Sequence, residues 1–352
     1  MGVSPFDHDL LSGLLGDDEV AALFSPEAEI AGIIAFEQAL AGAEAAEGVI
    51  PRKSGDAIAE RIADIELDIP ALRAATARDG VMVPELVRQL RAGLPAAHRD
   101  HLHFGATSQD AIDTSLALRL KRLAKVLGKR IDALAAMLDE LDRRDGHAVV
   151  MAHTRMQAAI EVPASRKIAS WRDPLLRSRA RLSQATDGVA LLQFGGAAGT
   201  LDKLGKEAVT VARYMAEQLD LALPPRPWHS ERDGIVTFAS WLSVLTGVLG
   251  KMGEDIALMT QSEVGELRLA SGGGSSAMPH KVNPVGAEAL VALARFNATL
   301  VSGMHHSLVH ENERSGAAWT LEWMLLPQMA VAAGAALRTA QDLVAQISFA
   351  RA

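Results

Sequence analysis

Residues 272–284 read Gly272-Gly273-Gly274-Ser275-Ser276-Ala277-Met278-Pro279-His280-Lys281-Val282-Asn283-Pro284. Three consecutive glycines free the backbone from the limits a Cβ imposes. Two hydroxyls, an imidazole, an ammonium and an amide then follow in 275–283. Asn283 before Pro284 reads as a helix start, with Asn as N-cap and Pro at the first helical position. The stretch is thus expected to be a polar loop ending at the positive end of a helix, a place that suits an anion. A plain Gly/Ser linker has no use for Met-Pro-His-Lys-Val-Asn-Pro.

The flanking sequence predicts helices. Upstream, Ile235, Phe238, Leu242, Leu245, Leu249, Met252, Ile256 and Met259 alternate spacings of three and four, a coiled-coil-like seam. Its methionines read as core filling. It leads through Glu263 and Glu266 into the glycines. Downstream, a helix from Pro284 reaches His305, His306 and His310. His306 and His310 have a spacing that can hold zinc on a helix face. No third ligand is suggested nearby, so no metal site is expected.

Further upstream, residues 101–115 read His-Leu-His-Phe-Gly-Ala-Thr-Ser-Gln-Asp-Ala-Ile-Asp-Thr-Ser. Thr107 or Ser108 can cap a helix whose first turn holds Asp110. His101, His103, Thr107, Ser108 and Gln109 supply more polar capacity than a cap needs. Behind them Ile112, Leu116, Leu120, Leu123, Leu127, Ile131, Leu134, Leu138 and Leu141 form one apolar stripe. At ~1.5 Å per residue this stripe predicts a helix of about 45 Å, suited to a bundle. Residues 147–166 hold His147, His153, Thr154, Arg155, Gln157 and Glu161. A second helix follows and ends at the small-residue segment Gly195-Gly196-Ala197-Ala198-Gly199-Thr200. This is no phosphate loop, because Gly205-Lys206 is followed by Glu207. Pro224-Pro225-Arg226-Pro227-Trp228-His229 reads as a stiff loop, with His229 facing a site or capping a helix. Before residue 100, Ser25-Pro26-Glu27, Ser54, Asp68-Ile69-Pro70 and Val83-Pro84-Glu85 read as helix starts.

Composition agrees with a helical chain. Of 352 residues, 49% are hydrophobic but only 4% aromatic, a balance that favours packed helices over sheet. There is no Cys, which excludes disulfides and thiolate chemistry. A net charge of −8 argues against a nucleic-acid partner. The first ten residues contain no basic-then-apolar leader. Charges interrupt the apolar helices, so no membrane span is expected. A soluble cytoplasmic protein is expected.

The 272–284 stretch resembles the signature Gly-Ser-Ser-x-Met-Pro-x-Lys-x-Asn-Pro of the fumarase/aspartase superfamily at every fixed position. The 103–110 segment and Ala35-Phe36-Glu37-Gln38-Ala39-Leu40-Ala41 are similar to other parts of it. The Gly195 segment and Glu313-Arg314-Ser315-Gly316-Ala317-Ala318-Trp319 resemble its lactonising branch. His153-Thr154-Arg155-Met156-Gln157 departs from the usual Arg-Thr-His-x-Gln: Arg155 stands where most members carry histidine.

The resemblance implies an all-α long-helix bundle with a small N-terminal helical domain (1–100), a central bundle (101–352) and no full C-terminal domain. It implies a homotetramer with sites built from three subunits, and no cofactor. Ser275 would be the base, helped by Lys281. Arg155 would anchor a carboxylate, since guanidinium cannot serve as an ordinary acid. His103, Thr107, Ser108, Gln109, Gln157, His229, Ser276, Met278, Asn283 and Arg314 would bind a small polycarboxylate. A carboxylate leaving or attacking group needs no proton, so a missing histidine fits lactonisation, in which a substrate carboxylate adds across its own double bond. Two other readings stay open: a β-elimination lyase of the adenylosuccinate type, and a non-catalytic helical assembly.

Overall fold

The structure, a computed structural model, describes residues 3–274, 277–278 and 281–350. Two short helices, α1 (Ser12–Leu15) and α2 (Asp18–Ala22), lead into α3 (Pro26–Ala46), α4 (Arg52–Arg61), α5 (Ile69–Asp79) and α6 (Val83–Gly93). The Ser25 hydroxyl caps α3 by accepting from the Ala28 N–H at 3.2 Å, and Asp68 caps α5 by accepting from Ala71 at 2.9 Å. Ser54 is no helix start. It lies inside α4, where its hydroxyl meets His98 Nδ1 at 3.0 Å.

Then comes α7 (Ser108–Asp145), a hairpin of β1 (Val149–Thr154) and β2 (Gln157–Pro163), α8 (Ala164–Asp187) and α9 (Ala208–Gln218). The chain continues through α10 (Asp233–Met259), β3 (Leu267–Leu269), α11 (Val285–His306), α12 (Gly316–Gln346) and β4 (Ile347–Phe349), which pairs antiparallel with β3. The helical bundle is as expected. The two small antiparallel pairs are additions that composition did not predict.

Both predicted seams are buried: every residue of the 112–141 stripe and of the 235–259 seam is under 9% exposed. They pack around α12, whose Ala330, Ala332, Ala333, Ala335, Ala336 and Ala340 are fully covered. Such small side chains let neighbouring helices approach closely. At Gly253 a Cβ would stand 2.6 Å from the Ala287 carbonyl oxygen, so α10 and α11 cross at a distance only glycine permits.

Long-range hydrogen bonds set the directions. Gln341 reaches the Arg130 carbonyl, Arg144 reaches Ile347, and Trp171 donates to Asp255. Helices α7, α10 and α12 therefore run one way, and α8 and α11 the other. One end holds Thr107, Gly188, Asp233 and Ser315; the other holds Asp145, Ala164, Met259 and Ile347. With 38 residues in α7, the ends stand ~57 Å apart at ~1.5 Å per residue.

A second core joins α3, α4 and α6 to the start of α7 and to 192–221, whereas Val20 belongs to the bundle core. Helices α10, α11 and α12 are each long and apolar enough to cross a membrane by length and composition, contrary to the expectation above. The apolar windows of α10 and α12 are 61% buried inside the chain, but that of α11 is 28% buried. An apolar helix left so open is a surface of the kind that interaction sites use.

Candidate active site

The first group of predicted residues converges at the start of α7. Asp110, on its first turn, is fully buried and organises them. Its carboxylate accepts from the Thr107 N–H (3.0 Å), from the Gly195 and Gly196 N–H groups (2.9 and 2.8 Å), and faces His229 Nε2 at 2.7 Å. This one side chain ties the small-residue segment and the Pro-rich loop to the helix entrance. Gly196 has φ +67°, and its position would bring a Cβ to 2.8 Å from the Gly105 carbonyl oxygen. Here the sequence's small residues have a steric cause.

Arg314 closes the group. It donates to Gln109 Oε1 at 2.8 Å and makes longer contacts, at 3.4 Å each, with the Thr107 hydroxyl and the Ala197 carbonyl. Gln109 in turn donates to Asp113 and to the His229 carbonyl. Exposed Arg314, the Thr107 hydroxyl and the helix N-terminus make one patch suited to a carboxylate. His229 does not face that patch: it is 5% exposed and committed to Asp110.

Beneath lies a buried ionic layer. Arg232 is 1% exposed; it pairs with Asp113 at 2.6 Å and with Glu322 at 2.6 Å. Trp319 Nε1 donates to Asp113, and the Trp228 ring sits 4.8 Å from the guanidinium. Burial pulls the Arg232 pKa down, but the two carboxylates outweigh it and the net shift is upward. Burial likewise pushes Glu322 up, and Arg232 brings it below its ordinary value. Sequence reasoning missed Asp113, Arg232 and Glu322. The Trp319 run lies in their neighbourhood, whereas Arg232 sits at the end of the stiff Pro-rich loop, where nothing in the sequence marks it as buried.

The second group lies at the opposite end. Arg155 and Met156 form the two-residue turn between β1 and β2, with Thr154 paired to Gln157. Both have positive φ, 48° and 67°. Such turns prefer Asn-Gly, so this non-glycine pair stores strain at a hairpin tip. Residues 153–161 are all exposed.

Lys281, exposed, and Asn283 belong to the same end. Asn283 is not the predicted helix cap. It exchanges backbone hydrogen bonds with Gly273 at 2.9 Å, and its side chain donates to the Gly274 carbonyl at 3.3 Å. It closes the base of the glycine loop instead, and α11 begins two residues later. Met278 is exposed. Ser275 and Ser276, together with His280, lie outside the described residues.

One chain thus brings together His103, Thr107, Ser108, Gln109 and Arg314 at one end, and carries Arg155, Gln157 and the base of the loop at the other. The sequence profile of the Lyase family matches residues 17–297. Profile, bundle and signature loop define the class: the chain belongs to the Lyase family, the helical fumarase/aspartase superfamily. Within it, the chain is 41% identical over 331 residues to 3-carboxy-cis,cis-muconate cycloisomerase of Pseudomonas aeruginosa, covering 92% of this chain and 72% of that protein. Its fold is similar to the crystal structure of the 3-carboxy-cis,cis-muconate lactonizing enzyme from Pseudomonas putida. The TM-score is 0.90 at 36% identity, covering 97% of this chain and 78% of that one. The β-carboxy-cis,cis-muconate cycloisomerase from Acinetobacter calcoaceticus sp. ADP1 also gives a TM-score of 0.90, at 31% identity, covering 97% of this chain and 78% of that one.

Proposed function

We propose that the chain is a cycloisomerase that converts 3-carboxy-cis,cis-muconate to 4-carboxymuconolactone, a step in protocatechuate catabolism. The observation that carries the reading is Arg155 at the hairpin tip, where most of the superfamily places a histidine, in a chain whose similar relatives bear the cycloisomerase name. In the reaction one substrate carboxylate forms a C–O bond to an alkene carbon. A proton is added to the neighbouring carbon, α to another carboxylate. No group leaves, so no acid is needed for a leaving group.

Charge builds on the carboxylate beside the carbon being protonated, so fixed cations and N–H groups there lower the barrier. Thr107, Ser108 and Arg314 hold one carboxylate. Arg155 and Lys281 anchor the others, and Ser275, six residues before Lys281 in the sequence, moves the proton. Adenylosuccinate-type elimination is disfavoured, because its acid position is Arg155.

The two groups of residues meet across subunits of a homotetramer. The exposed hairpin and the open apolar face of α11 support this, since an isolated two-stranded hairpin is marginally stable alone. The enzyme is soluble and cytoplasmic, and acts on a small polycarboxylate without nucleic acid, membrane or cofactor. The test is spectroscopic. Adding protein to 3-carboxy-cis,cis-muconate is expected to abolish the diene ultraviolet band with formation of the lactone. An unchanged spectrum at high protein concentration would reject the reading.

A further inference from the structure

His103 sits five residues before α7 with φ +60°, a backbone region that side chains other than glycine rarely occupy. Such strain persists only where surroundings hold it. What holds it is Glu37, in the middle of α3, whose Oε1 lies 2.6 Å from His103 Nδ1. The Glu37 side chain is 0% exposed and that of His103 15% exposed. Glu37 therefore cannot touch a substrate, whereas His103, five residues from the α7 entrance, keeps part of its ring exposed.

We propose that Glu37 is a positioning residue that fixes His103 through Nδ1 and holds it as a cationic Nε2–H donor for a substrate carboxylate. The proposal rests on the anion-binding reading of the α7 entrance. With Nδ1–H committed to Glu37, a neutral imidazole presents a lone pair at Nε2, which repels a carboxylate. The protonated ring presents N–H. One proton thus decides whether His103 attracts or opposes the substrate.

The surroundings favour the proton. Burial pulls the His103 pKa down, but the charge and hydrogen bond of Glu37, followed by Asp110, outweigh it, and Arg91 opposes them. Among the described residues, the charged groups acting on this corner are Glu37 of α3, Arg91 of α6 and Asp110 of α7, with Glu44 of α3 beside Gly105. Arg91 is turned to the same loop, donating to the Leu102 carbonyl at 2.8 Å. Glu44 adds no charge near neutrality: burial, then repulsion from Glu37, pushes it up to about 9. Glu37 Oε2 is buried without a partner among the described residues. A buried carboxylate left half unsatisfied is costly, and it has a purpose here if its charge is needed. The folded-state pKa of His103 is raised, so the cation is present at low pH and is lost as pH rises through that value.

Two measurements test this on the full chain. Histidine ring NMR, with His103→Asn supplying the assignment, follows the His103 titration. In Glu37→Gln, which keeps an acceptor oxygen of the same reach, the midpoint is expected to fall by about one pH unit. Glu37→Asp should retain most of the elevation. In parallel, KM for 3-carboxy-cis,cis-muconate in Glu37→Gln should rise several-fold at pH 8 and much less at pH 6, with kcat changing less than KM. An unmoved midpoint, or a KM increase equal at both pH values, would overturn the proposal. If the unmodified protein turns over no muconate, the functional reading fails while the titration still decides the Glu37–His103 pairing.

Discussion

Asp110 and Glu44 illustrate two opposite fates of a buried carboxylate. Asp110 is surrounded by three backbone N–H groups and an imidazole nitrogen, so its lone pairs are used. Neither Glu44 oxygen has a partner among the described residues. Burial, then repulsion from Glu37, pushes its carboxyl up to about 9, far above the usual carboxylate range. A raised carboxyl pKa favours the folded state while the proton stays on and loses that advantage as pH rises from the unfolded value toward about 9. Between pH 5 and pH 8 the chain should therefore lose on the order of 2–4 kcal/mol through this group. Glu44→Gln should flatten that loss; thermal melts at the two pH values measure it, and parallel curves for both proteins would contradict it. The sequence revealed Asp110 as a first-turn acid beside its cap, but not its partners Gly195, Gly196 and His229, because they come from segments more than eighty residues away. It gave no hint that Glu37 and Glu44 turn inward, since charged residues on a helix normally read as its solvated face.

At the scale of elements, long helices were the most legible part of the chain. The seams of α7 and α10 repeat every three or four residues over several turns, and no other element gives that period. Short-range signals were mixed. Ser25 and Asp68 are the caps they resemble, but Asn283 pairs with Gly273 instead, because the loop's own closure competes for its backbone. The hairpin at residues 149–163 escaped notice because its turn, Arg155-Met156, lacks the Asn or Gly that marks such turns. Arg232 links three elements, joining the entry of α10 to α7 through Asp113 and to α12 through Glu322. Arg232→Met would leave two buried carboxylates without their cation. It is expected to cost about 3–5 kcal/mol, seen as a large drop in Tm, and adding Glu322→Gln should recover part of it. An unchanged Tm in the single variant would contradict this account of the layer.

For the whole molecule, the decisive quantity is the ~57 Å that a 38-residue helix places between its ends. The signature loop, Arg155 and the α7 entrance were all legible as chemistry, yet sequence spacing alone does not place them. The structure puts Arg314 and Thr107 at one end, and Arg155 and Asn283 at the other. A tricarboxylate small enough to lactonise cannot span that length, so on the proposed reading the site draws its two ends from different chains. Mixing two inactive variants tests this most directly. Arg314→Ala and Ser275→Ala, each purified, would be dissociated and reassociated together. The account predicts recovery toward about one quarter of the parent activity, the share of sites that draw both intact groups from different chains in an equal mixture. Reassociated mixtures that stay as inactive as either variant alone would contradict it.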